Sequence, residues 1–267
     1  DSFGDLFSPT AKFESIMLVL NIATFEDREI EILDIAGAYL NANIYGHDTH
    51  NEDKVNDNIL MWLDEESTKS YLIFKPECLK FVQNKRLLVR IEKALYGLKQ
   101  SAKRWYEELT RTLVSFGFIK SKFDGGVLYR EGGKCIIVLH VDDLFVTGTK
   151  QDIEIVKESL KLKYKKVTSK QGDEIGYLGM WLVRKRNEKK MFISQPKHIK
   201  QLISEFPNVY EYETPASPNM PQTFDDVNIE MLNDENKTFY RSCLMKAMYI
   251  ARSRPDIKFI LILLATK

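Results

Sequence analysis

A chain of 267 residues with 44% hydrophobic, 11% aromatic and 29% charged side chains has the material for a sizeable core and lies well away from the disordered class. Its formal net charge of +1 gives no global signature of a polyanion binder, but 157–170 (KESLKLKYKKVTSK) and 184–190 (RKRNEKK) are basic and 225–236 is acidic. Cysteines at 78, 135 and 243 fit neither a disulfide framework nor a zinc site and suit a reduced intracellular compartment. No apolar run reaches membrane-spanning length, and the first residues, without Met or a secretory segment, read as the interior of a gene product.

Ser8-Pro9 reads as an N-cap followed by proline at the first helical position. Phe13, Ile16, Met17, Leu20 and Ala23 continue at helical spacing until about Glu26. Residues 29–35 (EIEILDI) open with charged and apolar side chains in alternation, the period of a half-buried strand ending near Asp34. Residues 41–70 are rich in Asn and Asp and weak in periodicity, an excursion with little regular structure. Two short strands, 71–75 (YLIFK) and 86–91 (RLLVRI), lead out of it.

A helix from Ser101 to Phe116 carries Trp105, Leu109, Thr112, Leu113 and Phe116 on one face and stops at Gly117. Residues 126–130 and 134–141 form a hairpin about a Glu-Gly-Gly turn, Asp142-Asp143 follows, and 144–148 is a further strand. Next come a helix over 151–164 with Ile153, Val156 and Leu160 inward, a strand near 165–168 and a hairpin over 177–194. A helix from Pro196 to Phe206, a turn-rich linker over 207–236 and a last helix over 238–252 complete the chain before a new apolar run. Setting aside 41–92 and the outer strand of the 126–141 hairpin, 29–168 is strand, helix, two strands, helix, strand. That is the βαββαβ order of an α+β, ferredoxin-like sheet with helices on one face and the other face open to a ligand.

Asp142-Asp143 is the sharpest local feature, because turn chemistry alone would favour Asn-Gly or Asp-Gly between two apolar strands. A polar hairpin tip would account for the pair taken by itself. Asp34 adds a second carboxylate source: in a ferredoxin-like order the first and third strands are central neighbours, so acids at their ends converge. Three carboxylates without His or Cys suit a hard cation, Mg²⁺ first and Mn²⁺ second, and such ions support in-line phosphoryl transfer. The histidines at 47, 50, 140 and 198 show no ligand spacing, and His140 reads as a packed or partly exposed strand residue.

Residues 32–44 (ILDIAGAYLNANI), 93–109 (KALYGLKQSAKRWYEEL) and 138–148 (VLHVDDLFVTG) resemble motifs A, B and C of copia-type retrotransposon reverse transcriptases. Residues 5–20, 197–206 and 240–259 are similar to the segments before and after that palm, so the resemblance covers nearly the whole chain. It implies a palm with partial fingers (about 41–92) over 1–194, and a truncated thumb or start of a connection segment over 195–267. Asp34 and Asp142 would bridge two metal ions, with the Ile35 carbonyl a further ligand and Asp143 the outer carboxylate. Tyr39 would be the aromatic gate that excludes a ribose 2′-OH, although a core tyrosine also fits the position. Tyr96, Gly97, Lys99 and Gln100 would line the nucleotide and template side, and His140 would lie near the primer terminus. Tyr177, Leu178, Gly179 and Met180 would hold the primer end, and the two basic runs become candidate phosphate contacts.

The implied activity is RNA- and DNA-templated DNA synthesis, with an RNA or DNA template, a DNA primer and dNTP as partners. The implied location is cytoplasmic virus-like particles, with the nucleus as a second compartment, and no membrane. His140 stands where the family has an aromatic residue, and Ala102 replaces the proline of motif B, loosening the start of that helix. The resemblance further implies that the chain begins after the fingers' Lys and Arg contacts to the triphosphate and ends before any ribonuclease H domain, so that alone it would polymerise poorly. The rival readings are a catalytically inactive nucleic-acid-binding fragment or remnant and a two-metal nuclease, the latter disfavoured by Tyr39 and motif B.

Overall fold

The computed structural model describes residues 8–45, 59–206, 213–216 and 232–266. Packing divides the chain into two units, Asp1–Lys170 and Gln171–Lys267. His47 and His50, and most of the expected linker, lie outside the described residues.

The first unit begins with α1 (Phe13–Phe25), which buries Ile16, Val19, Leu20 and Ala23. Ser8 does not cap it. The Ser8 hydroxyl donates to the Ala102 carbonyl, and the Ala11 N–H donates to the Leu139 carbonyl, so this segment runs extended and the helix starts at Phe13. The Asp124 carboxylate, remote in sequence, accepts the Lys12 N–H at 2.9 Å where the helix opens.

β1 (Glu29–Ile35) occupies the expected residues. After it, β2 (Leu60–Trp62), β3 (Val82–Gln83) and β4 (Arg86–Arg90) form a small sheet of order β2-β4-β3, joined by α2 (Glu65–Phe74). The expected strand at 71–75 is therefore helix. The cause lies upstream: the Asp64 carboxylate caps the helix by accepting the Ser67 N–H at 2.7 Å, and Glu65 and Glu66 place negative charge in its first turn. That start carries the helix through Tyr71–Phe74, leaving Ile73 and Phe74 exposed.

α3 (Ser101–Ser115) buries Trp105, Leu109, Thr112 and Leu113. It ends where Gly117 turns left-handed (φ 85) and Phe118 N–H returns to the Leu113 carbonyl at 3.1 Å. β5 (Ile119–Lys120), β6 (Val127–Arg130), β7 (Cys135–His140) and β8 (Asp143–Gly148) follow. Then come α4 (Lys150–Lys163), begun by a Thr149/Asp152 capping box, and β9 (Val167–Gln171). The main sheet has the order β5-β6-β7-β8-β1-β9.

Strand alternation explains the core. Leu33 and Ile35 of β1, Ile137 and Leu139 of β7, and Leu144 and Val146 of β8 share one cluster with Trp105, Leu109 and Leu113 of α3 and Ile153, Val156 and Leu160 of α4. The intervening residues Ile30, Ile32, Val138 and Phe145 are also buried. The second face is thus not open along its length, as the sequence suggested. Its terminal row at Asp34, Asp143 and His140 is half-exposed.

The second unit contains a three-stranded sheet, β10 (Glu174–Tyr177), β11 (Met180–Lys185) and β12 (Lys190–Ser194), ordered β10-β11-β12. Helices α5 (Pro196–Ser204), α6 (Asp234–Ile250) and α7 (Lys258–Ala265) accompany it. α6 starts earlier than its apolar pattern because the Asn233 side chain caps it through the Asn236 N–H at 2.8 Å. This packing places the β10–β12 strands with the helices, whereas the sequence groups them with the first 194 residues. Among the described residues no helix is long and apolar enough to cross a membrane.

Candidate active site

The antiparallel register sets the site. Asp34 lies directly opposite Asp143 across β1 and β8, and Asp143 lies opposite His140 across β8 and β7. The three residues form one row at the end of the half-exposed face. Asp142 sits beside that row in the turn between β7 and β8, its carbonyl accepting the Ile35 N–H at 3.4 Å. The Thr168 hydroxyl donates to Asp34 Oδ2 at 3.4 Å.

Charge is crowded here. Burial pushes the Asp143 carboxyl up, the Asp142 and Asp34 carboxylates push it further, and His140 and Lys170 pull back without cancelling them. All the carboxylate donors are hard oxygens, and their repulsion is of the kind a divalent cation relieves, so the set fits such an ion chemically. Among the described residues no three His, Cys, Asp or Glu side chains already converge as a metal cage, so the three carboxylates would have to rotate toward a shared ion.

The turn that presents the acid pair has only Val141 and Asp142 between the paired residues His140 and Asp143. Val141 adopts φ 59, a left-handed conformation that a β-branched residue takes only under constraint. The constraint comes from α3: the Trp105 indole N–H donates to the Val141 carbonyl at 2.8 Å, and its ring meets Tyr164 edge-on at 5.5 Å. Sequence reading placed Trp105 on the core face of its helix and missed this contact. Its one signal was an indole donor, which seeks an acceptor wherever it is buried.

Tyr39 lies in a single 3₁₀ turn, Ala38–Asn41, behind left-handed Gly37. Its ring is 4.4 Å from that of Tyr96, so residues far apart in sequence meet beside the carboxylates. Burial raises the Tyr39 phenol, followed by Tyr96 and Asp142, and burial raises that of Tyr96, followed by Asp142 and Asp34. Gly97 has φ 94 with open space where a β-carbon would point, so its backbone conformation is what requires glycine. Lys99 is exposed and Gln100 half-buried at the N-cap position of α3, where Gln100 provides no side-chain cap. The Ser101 hydroxyl does the local work by donating to the Leu95 carbonyl at 2.6 Å and accepting the Leu95 N–H at 3.0 Å.

Tyr177, Leu178, Gly179 and Met180 lie in the second unit at the β10–β11 turn. Tyr177 pairs with Met180, and both side chains are buried. The basic runs are partly engaged within the fold. Lys157 pairs with Glu31 and Glu154, Lys163 with buried Glu108, and Arg186 with Asp173.

A profile described as "Reverse transcriptase (RNA-dependent DNA polymerase)" matches residues 60–220, which include Tyr96–Gln100 and Asp142-Asp143, while Asp34 and Tyr39 precede the matched segment. The retrovirus-related Pol polyprotein from transposon TNT 1-94 of Nicotiana tabacum is 27% identical over 263 residues, covering 96% of this chain and 18% of the relative. Those from transposons RE1 and RE2 of Arabidopsis thaliana are 26% and 25% identical, each covering 96% of this chain and 16% of the relative. The chain spans less than a fifth of the length of these relatives.

Proposed function

The chain belongs to the reverse transcriptase (RNA-dependent DNA polymerase) family, alongside copia-type transposon Pol polyproteins, and we propose that its first unit is a ferredoxin-like polymerase palm that extends a DNA primer on an RNA or DNA template. The observation that carries this reading is the register of Asp34 opposite Asp143, beside Asp142, at the half-exposed end of the central strands. It joins a residue outside the matched family segment to the acid pair inside it. The strand order β7-β8-β1-β9, with α3 and α4 sharing one core cluster, supports the ferredoxin-like description.

In the reaction the primer 3′-OH attacks the α-phosphate of a dNTP and pyrophosphate leaves. Asp34, Asp142, Asp143 and the Ile35 carbonyl would hold Mg²⁺ (or Mn²⁺), which when bound would lower the pKa of the attacking hydroxyl and stabilise the leaving charge. Tyr39, braced by Tyr96, excludes a 2′-OH from the sugar site. Gly97, Lys99 and Gln100 line the nucleotide side, His140 lies toward the primer terminus, and the turn at 177–180 is a primer contact of the second unit. Phosphates contacting the basic runs would compete with the acids already paired there. Action in cytoplasmic virus-like particles is part of the same proposal.

The test is primer extension on poly-rA/oligo-dT with Mg²⁺ or Mn²⁺, comparing this chain with Asp142→Asn. Extension that vanishes in the variant supports the polymerase and its acid set. Duplex binding without extension in both chains favours the inactive nucleic-acid-binding reading. Strand cleavage without nucleotides points to the nuclease.

A further inference from the structure

In the second unit, the Tyr249 side chain of α6 reaches the β10–β11 turn. Leu178 (φ 47) and Gly179 (φ 76) are its two central residues, both left-handed, as hairpin turns of the I′ class require. Glycine adopts that conformation freely and leucine does not. The Tyr249 hydroxyl donates to the Leu178 carbonyl at 2.8 Å. A β-carbon on Gly179 would overlap that hydroxyl and would lie 3.2 Å from the His198 ring, so the turn is read from the tyrosine side as well.

Tyr249 is itself fixed. Its ring sits 4.9 Å from that of His198 on α5, and the Arg252 guanidinium lies 4.6 Å from the ring centre. Tyr177 and Met180 are each 2% exposed, so the turn presents its Leu178-Gly179 backbone outward with the half-buried Leu178 side chain. Alignment of anything resting on this turn therefore depends on that backbone, and Tyr249 holds one of its two carbonyls.

We propose that Tyr249 is a positioning residue for the primer: its hydroxyl locks the Leu178-Gly179 turn in the left-handed form that receives the primer end, coupling primer placement to α6. The inference rests on the reading of 177–180 as the primer-holding turn. It predicts a defect confined to the primer, since the hydroxyl bonds to this turn and the ring packing survives its removal.

The experiment measures extension by the full chain and by Tyr249→Phe, varying primer–template at saturating dNTP and then dNTP at saturating primer–template. The expected result is a KM for primer–template raised about three- to tenfold, the equivalent of one hydrogen bond, with the dNTP KM unchanged. Gly179→Ala made in both backgrounds should be non-additive, costing less once the hydroxyl is gone. An unchanged primer KM, equal rises in both KM values, or strict additivity overturns the inference while leaving the polymerase reading standing. Absence of extension by the unsubstituted chain overturns that underlying reading, and the inference with it.

Discussion

The Trp105 indole N–H donates to the Val141 carbonyl at 2.8 Å, tying helix α3 to the turn that presents Asp142 and Asp143. Val141 has φ 59, and a β-branched residue persists there only when its surroundings over-determine it. Trp105→Phe keeps an aromatic ring in the core but removes the donor. It should lower kcat for extension and cost about 1 kcal/mol of stability. Val141→Gly relaxes the turn intrinsically, so the kcat loss from Trp105→Phe should shrink in that background. Equal losses in both backgrounds would show that the indole serves packing alone.

Neutralising Asp143 should stabilise the fold while impairing the chemistry. Burial and the Asp142 and Asp34 carboxylates raise its folded-state pKa, so the folded chain holds this proton more tightly than the unfolded chain. Ionisation of this group therefore opposes folding, and the penalty is present above the folded pKa and relieved as pH falls through it. Near pH 7 Asp143→Asn should raise Tm in EDTA by about 2–4 °C, corresponding to roughly 1 kcal/mol. Mg²⁺ should raise the Tm of the unsubstituted chain and have a smaller effect on the variant. Differential scanning fluorimetry with both chains decides the matter, and a lower Tm for the variant in EDTA would refute it.

Sequence reading was most successful where a local signal and the tertiary fold agree. β1, α3 and α4 sit close to where their periodicities place them, and Gly117 marks the end of α3 in sequence and structure alike. α2 was misread because Tyr71–Phe74 is strand-like in composition while the decisive cap, Asp64, lies upstream of it. Ser8 was misread for the opposite reason: a good local cap was outcompeted by long-range bonds to Ala102 and β7. The meeting of Asp34 with Asp143 was legible through strand order. The Trp105–Val141 and Tyr249–Leu178 bonds were not, since a donor's distant acceptor leaves no spacing in the sequence.

Asp124 should account for part of the acid sensitivity of the first unit. Burial pushes its carboxyl up, but hydrogen bonds from the Ser15 side chain, the Lys12 N–H and the Gly126 N–H outweigh that and hold it below the usual range. A depressed folded-state pKa gives stability that is complete above the unfolded value of about 4 and lost as pH falls through the folded one. Asp124→Asn should therefore cost about 1–2 kcal/mol near neutrality, and the gap between variant and unsubstituted chain should narrow as pH drops toward about 3. Urea unfolding across that range measures it. A gap independent of pH would mean that the carboxylate charge contributes nothing.

Two glycines on either side of β6 should respond very differently to alanine. At Gly126 a β-carbon would overlap the backbone of Ala11 and Thr10, which cannot swing aside as a side chain would. The Ala11 N–H bond to Leu139 and the Leu139 N–H bond to Gly126 hold that approach at 3.0 and 2.7 Å. Gly126→Ala should cost about 3 kcal/mol through forced displacement of the extended segment before α1. Gly132 has φ 62 with open space around it, so Gly132→Ala should cost only about 1 kcal/mol of backbone strain. Urea midpoints for the two variants that come out equal would refute the close approach.

Tyr39 and Tyr96, with ring centroids 4.4 Å apart, provide the test of sugar selection. If the Tyr39 ring fills the space of a 2′-OH, its shape matters and its hydroxyl does not. Tyr39→Phe should leave discrimination between dTTP and UTP on poly-rA intact. Tyr39→Ala should raise the relative kcat/KM for UTP by about 10- to 200-fold, the range that one steric determinant supplies in a substrate pocket. Tyr96→Ala removes the brace without opening the sugar site directly, so its effect on the ratio should be smaller than that of Tyr39→Ala. A ratio unmoved by Tyr39→Ala, with extension retained, would reduce the tyrosine pair to packing beside the carboxylates.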